Sequence, residues 1–453
     1  MKHSILWVYL AVTFVTVGYA TPRNGLAGNI FANSSPPQVV LNEQIPVKAT
    51  TAESSGSITL DWAIDAAIDR HPSLAATWYE IKSRQGEVRQ AGILPNPRLF
   101  GEIEEFGGTG DYSSTDVRSS KIGISQEVLL GGKIGKGVHE AKAAVGIAEL
   151  EHQAKIIKVR AVVERRFLDV FILQERLDFQ KKELALIEKT HDVVGKRVKV
   201  GDTAPLDLTR SQVELVSARI AVEQTRKEFE ASRYVLAESW GAKYPAFSSV
   251  SGQYNTAFGF TEQGLKVDLQ QGPAWLLLEK QVTRAEAVLD LAKAQRIPDI
   301  EVEGGVKYFN ESNDHAYFLG MSVPLPLFDR NQGGIAEAKA SQQKAHYEKT
   351  AGFLALHMEL QKVWRKFVST QQAFQSFEAE VLPASQNAFE SITKAYKAGE
   401  VGVLGLLDAQ RTWVEARNIF LDLLYELEKN RIEIKQLIGA GATGSSVPSY
   451  SNN

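Results

Sequence analysis

An apolar residue at every seventh position, over two separate stretches, limits this chain more than any other feature. Leu208, Leu215, Val222, Phe229 and Leu236 form one seam, and Leu406, Trp413, Phe420, Leu427 and Ile434 form another, 198 positions later. Matching lead-ins precede them, Lys199-Val200-Gly201 and Lys397-Ala398-Gly399. A seven-residue period keeps one stripe of a helix against a partner helix along its whole length, so it specifies coiled-coil packing. Two more seams, Ile156, Val163, Val170, Leu177, Leu184 and Phe353, Leu360, Phe367, Phe374, Val381, precede the first two and differ by 197 positions. The offset changes by one residue between these seams and the tips, and Pro383 marks the place for a local adjustment. The pattern predicts long helical hairpins present in two copies.

Ahead of each hairpin the period shortens to two. Ile300, Val302, Gly304, Val306 and Tyr308 alternate with Asp299, Glu301, Glu303 and Lys307, and Tyr317, Leu319, Met321 and Val323 stay in phase beyond a loop at residues 310–314. In the first half, Ile122 and Ile124 alternate with Lys121, Gly123 and Ser125, and residues 107–111 make a glycine-rich loop between two strands. Alternation of this kind predicts strands with one apolar face. Pro95, Pro97 and Pro298 on one side, and Gly131, Gly132, Pro324 and Pro326 on the other, are placed to make the helix-to-strand transitions.

The expected organisation follows. Residues 1–20 read as a signal peptide, with Lys2 before an apolar run and cleavage near Ala20; residues 21–57 form a flexible leader. Residues 58–241 make a first repeat, with a β-hairpin at about 98–128 and a helical hairpin at about 132–241. A connector at 242–272 leads to a second repeat at 273–439, with its β-hairpin at about 299–323 and helical hairpin at about 331–439, and residues 440–453 form a disordered tail. The fold class is mainly α with a small β part.

No other window is apolar enough for a transmembrane helix, so a membrane crossing would have to use strands. Four strands cannot close alone, because the smallest membrane barrels use about eight. Several copies could close one, continued by a tube of helices. A net charge of −3 and the lack of a basic, aromatic-interleaved patch argue against nucleic acid. The chain has no cysteine, hence no disulfide and no thiol for a lipid, and its eight histidines include no pair spaced three or four apart. Neither a metal site nor a cofactor motif nor a nucleophile-base set is present, so no enzymatic activity is expected.

Several motifs occur in an order that is specific: Leu94-Pro95-Asn96-Pro97, Ser125-Gln126-Glu127 leading into Gly131-Gly132-Lys133, Val200-Gly201 with Pro205-Leu206-Asp207-Leu208, and Ala398-Gly399 with Leu406-Leu407-Asp408-Ala409-Gln410. From about Thr59 to Gly439 the chain resembles the TolC family of outer-membrane efflux proteins, and the first two motifs resemble its CzcC-like heavy-metal branch. The resemblance implies a homotrimer with a twelve-stranded barrel in outer-membrane lipid of a Gram-negative bacterium and a periplasmic α-barrel below. It implies a passive conduit exporting heavy-metal cations, joined by a membrane-fusion adaptor to an inner-membrane transporter of the resistance-nodulation-division (RND) type. A channel for drugs or type I protein secretion is the alternative, followed by an elongated periplasmic adaptor or scaffold.

By the same resemblance Asp408 matches an aspartate lining the periplasmic constriction, and a local reading of it is a solvated aspartate near a helix start. The family's second aspartate, three residues earlier, is replaced by Gly405. Asp207 and Tyr396 match latch residues of the closed state, while the expected arginine is replaced by Val401. Arg210 follows Asp207 at i+3 and makes a local helix pair. Gly201 and Gly399 are turn residues at the tips, where the adaptor would dock.

Overall fold

The computed structural model describes residues 55–113, 118–252, 254 and 259–440; the expected signal peptide, nearly all of the leader and nearly all of the tail lie outside them. A short strand β1 (Ser57–Thr59) runs directly into α1 (Leu60–Arg70), where the Thr59 side chain accepts from the Trp62 amide at 3.3 Å. His71 interrupts the helix, because the following proline disfavours a helical residue before it. Its imidazole caps α2 (Pro72–Ala91), with Pro72 in the first turn, where a missing N–H costs nothing.

The strands β2 (Arg98–Glu104), β3 (Ser119–Val128), β5 (Ile300–Phe309) and β6 (Asp314–Ser322) form one antiparallel sheet in the order β2-β3-β5-β6. The register pairs Ile122 with Val306 and Gly123 with Gly305 at its centre. Both predicted hairpins are thus present, and they lie side by side with β2 and β6 as edges.

The arms are helices of unusual length. In the first, α3 (Lys133–Lys199) turns back as α4 (Pro205–Glu238). At about 1.5 Å per residue α3 alone runs about 100 Å. It ends in Lys196, Arg197 and Lys199, and α4 begins with Pro205 and Asp207, so each terminus carries charge opposite to its dipole. After α6 (Pro273–Gln295), the second arm runs through α7 (Gln332–Ser376), a π turn (Phe377–Val381), α8 (Leu382–Ala398) and, reversed, α9 (Val403–Ile438).

That π turn corrects the fourth seam. Leu360, Phe367 and Phe374 are buried as expected, but Val381 is 44% exposed. Beyond the turn the inward residues are Phe389 and Tyr396, both buried, with Leu382 half-buried one heptad before them. The step from Phe374 to Leu382 is one residue longer than a heptad, and a π turn holds the one extra residue without breaking the helix. The interval where the sequence offset passes from 197 to 198 contains this turn, just ahead of Pro383.

The segment read as a connector has structure of its own. β4 (Ser249–Ser251) pairs in parallel with β1, and α5 (Glu262–Gln271) buries Leu265 and Leu269. Three residues are too few to display alternation, so β4 left no signal in sequence. Burial of Ile58, Ala67, Val163, Phe167, Leu236, Trp240 and Phe247 joins this small sheet to the base of the first arm. A second core holds Leu265, Leu360, Phe367, Phe374, Leu427 and Ile434, and a third, at the tip, holds Val194, Phe389, Tyr396, Val403, Leu406 and Leu407.

Candidate functional site: a two-faced sheet and a helical tip

Register and exposure together give the sheet two unlike faces. One presents Leu99, Ile103, Ile122, Ile124, Tyr317, Leu319 and Met321, all exposed. The other carries charge. Lys121 reaches Glu104 at 2.5 Å and Glu102 at 3.4 Å, and Lys307 reaches Glu104 at 2.9 Å. Glu102 and Glu104 are therefore both partnered by lysines. On this face Phe100 and Phe318, on opposite edge strands, close over Gly123, with ring centroids 6.1 Å apart. A Cβ at Gly123 would stand 2.7 Å from the Phe100 ring, so the sheet can curl there only around glycine.

Prolines and glycines stand at the turns between sheet and helices. Pro95 accepts from the Gln126 side chain at 2.9 Å, with Pro97 beside it before β2. Gly131 and Gly132 both take φ of +70°, and a Cβ on Gly131 would lie 2.7 Å from Ile297. Asp299, next to Pro298, fixes this turn from just ahead of β5: it accepts from the Leu130 amide at 2.8 Å and pairs with Lys133 at 2.6 Å. On the other side Pro324 and Pro326 end β6 in a segment exposed throughout residues 321–330.

At the far end, Gly201 and Gly399 close the two helix reversals with φ of +76° and +82°. Asp207 pairs with Arg210 at 3.4 Å, the local contact expected from their spacing. Tyr396 is buried, and the Arg197 guanidinium lies 4.9 Å from its ring centre while pairing with Asp202 at 3.6 Å. Asp408 is exposed on α9, and among the described residues no ion pair reaches its carboxylate. Trp413 stacks parallel to Phe389 at 5.0 Å and edge-on to Phe179 at 4.9 Å, which ties α9 to both arms.

The model of the outer membrane efflux protein family matches residues 63–242 and 268–440, most of the chain. The chain belongs to that family. It is similar to the cobalt-zinc-cadmium resistance protein CzcC of Cupriavidus metallidurans, 26% identical over 440 residues, covering 97% of this chain and 100% of that protein. It is similar also to the cation efflux system protein CusC of Escherichia coli K12, 22% identical, covering 83% of this chain and 86% of that one. Among solved structures, a membrane protein from Pseudomonas aeruginosa superposes with a TM-score of 0.73 over 86% of this chain and 92% of its own, at 19% identity. CusC superposes with a TM-score of 0.68 over 84% and 92%, again at 19% identity. The chain is thus an outer-membrane efflux protein of the TolC type, and not an enzyme.

Within this efflux protein, Val401 and Gly405 meet in space. A Cβ on Gly405 would stand 2.7 Å from a methyl of Val401. Valine at 401 and glycine at 405 are therefore one packing arrangement. The guanidinium at Tyr396 comes from Arg197, in the last turn of α3. Sequence reading passed over Arg197 because its partner is 199 positions away. It passed over Asp299 for the same reason, although an aspartate directly after Pro298 at a strand start was a usable sign.

Behind the tip, burial pushes the Glu183 carboxyl up to about 7, helped by the nearby Glu214 and opposed by a hydrogen bond with Gln410. Glu214 is engaged by Arg411 of α9. Deeper in the body, burial likewise raises Glu428 to about 7 against the pull of Arg431. Among the described residues no three His, Asp or Glu side chains are grouped to hold a metal, and no helix is long and apolar enough to cross a membrane.

Proposed function

We propose that this protein is the outer-membrane conduit of a tripartite exporter of heavy-metal cations, assembled as a homotrimer. The observation that carries the reading is the sheet: one apolar face, one charged face and two unpaired edges. Three copies joined β2 to β6 make a twelve-stranded wall with every internal edge paired, apolar to lipid and charged to the lumen. The repeated order of helix, strand pair and long arms supports descent from a duplicated unit, each copy supplying two strands and one arm.

The metal assignment draws on the relatives named for cobalt, zinc, cadmium and cation efflux. Metal ions are cargo here, passing as hydrated ions. In the trimer Asp408 would recur three times around the axis near the tips, and a ring of carboxylates without lysine or arginine partners favours cations. Asp207, held by Arg210, contributes less free charge. The turns at Gly201 and Gly399, with Tyr396 and Arg210 beside them, form the surface offered to a periplasmic adaptor, through which an inner-membrane RND transporter supplies the energy.

Deleting the protein and testing growth on Co²⁺, Zn²⁺, Cd²⁺, Ni²⁺ and Cu⁺ beside a panel of drugs tests the assignment. Sensitivity to one or more metals is expected. Sensitivity to drugs alone, or loss of a secreted protein, would move the protein to the multidrug or type I secretion reading.

A further inference from the structure

The apolar face of the sheet is too short for a membrane. Its exposed side chains fall on four successive rungs of the strands, from Met321 and Val302 at the helix end, through Leu319 with Ile124 and Leu99 and then Tyr317 with Ile122, to Tyr308 and Ile103, and Val323 continues the phase one step past β6. At about 3.3 Å per residue and a tilt of about 40°, these five steps cover about 20 Å of membrane height, against an apolar band of about 25 Å. About 5 Å is missing. At the loop end the chain becomes polar at Glu105 and Asn310, with Phe106 and Tyr112 as the exposed aromatics.

At the helix end the apolar run does not stop with the strand. Leu325, Leu327 and Phe328 are 74%, 64% and 90% exposed, and the sequence turns polar only at Asp329. The segment is also held in place. Arg330 donates to the Pro326 carbonyl at 3.0 Å, Gln332 to the Phe328 carbonyl at 3.0 Å, and Asn331 to the Ala292 carbonyl of α6 at 2.8 Å. The first half differs: its junction at Leu129 to Lys133 exposes no large apolar side chain and is pinned by Asp299.

We propose that Pro324 to Phe328 is a membrane-interface anchor, seating Leu325, Leu327 and Phe328 among the acyl chains of the leaflet on the helical side and completing the apolar band that the strands leave short. This rests on the reading of the sheet as a membrane wall. The ligand is phospholipid, and an aromatic ring at the water boundary is the residue type such an interface selects.

Because the sequence has no cysteine, single thiols can be placed freely. Phe328→Cys and, leaving the ring in place, Leu325→Cys would be labelled with a fluorophore and reconstituted in phosphatidylethanolamine and phosphatidylglycerol vesicles. Leu319→Cys marks the sheet face and Lys344→Cys the exposed surface of α7. Nitroxide-bearing phospholipid should dim the 325 and 328 labels about twofold or more, as it dims the 319 label, while aqueous iodide should affect mainly the label at 344. Iodide quenching at 325 and 328 equal to that at 344 would overturn the anchor. So would protection from both quenchers, which would place another copy of the chain over the segment. If the 319 label also escapes the lipid quencher, the membrane reading of the sheet falls and the anchor with it.

Discussion

Replacing Gly131 and Gly132 separately by alanine dissects the joint between sheet and arm. Both have φ of +70°, but a Cβ at Gly132 meets nothing within 4 Å, whereas one at Gly131 meets Ile297 at 2.7 Å and the Ala294 carbonyl at 3.2 Å. A left-handed backbone costs a residue with a Cβ about 1 to 2 kcal/mol. Gly132→Ala should lose that amount and no more. Gly131→Ala adds a clash with a branched side chain and a main-chain oxygen, and overpacking of this sort costs about 1–3 kcal/mol further. The joint also contains the Asp299 contacts to Leu130 and Lys133, which a shifted turn would loosen. Urea unfolding followed by tryptophan fluorescence, at one detergent and one protein concentration, measures both variants. Equal losses would refute the argument, because they would leave the close approach of Ile297 with no energetic role.

The other expectations concern the arms and Asp408. Asp408→Ala should raise single-channel conductance or weaken cation preference in planar bilayers, and no change in either removes Asp408 from the constriction. Phe374→Ala should cost about 3–5 kcal/mol, and Val381→Ala within about 0.5 kcal/mol, since the π turn takes Val381 off the seam; similar costs would mean the seam runs on unshifted. For Glu428 and Glu183 the folded value is raised to about 7, so the neutral acid favours the fold. Their stabilising contribution is complete below the unfolded value of 4.5 and fades as pH rises to about 7. The wild type should lose on the order of 1–3 kcal/mol between pH 5 and 8, and Glu428→Gln with Glu183→Gln should flatten that slope.

The arms and the sheet could be read from sequence because each repeats a short rule many times. Five seam positions or four alternating pairs outvote any local exception. β4 and α5 could not, since a three-residue strand and a helix with two buried leucines repeat nothing. At the tip, Asp207 and Arg210 were legible as neighbours within one helix turn. The Arg197 contact with Tyr396 joins two arms, and periodicity says which face of a helix is inward without saying which residue stands opposite. The one-residue change of offset is the exception: it signalled an adjustment near Pro383, and its form, a π turn just ahead of that proline, came from the structure.

The fit of Gly405 under Val401 also sets an order on engineering at the tip. An aspartate introduced at 405 meets the Val401 methyl and is opposed from the start, whereas a change at 401 to a residue without that branch is free to come first. The two sites should therefore be epistatic: a library that varies them singly should score position 405 as intolerant, and one that varies both should recover an acidic residue there, placing a second carboxylate three residues from Asp408.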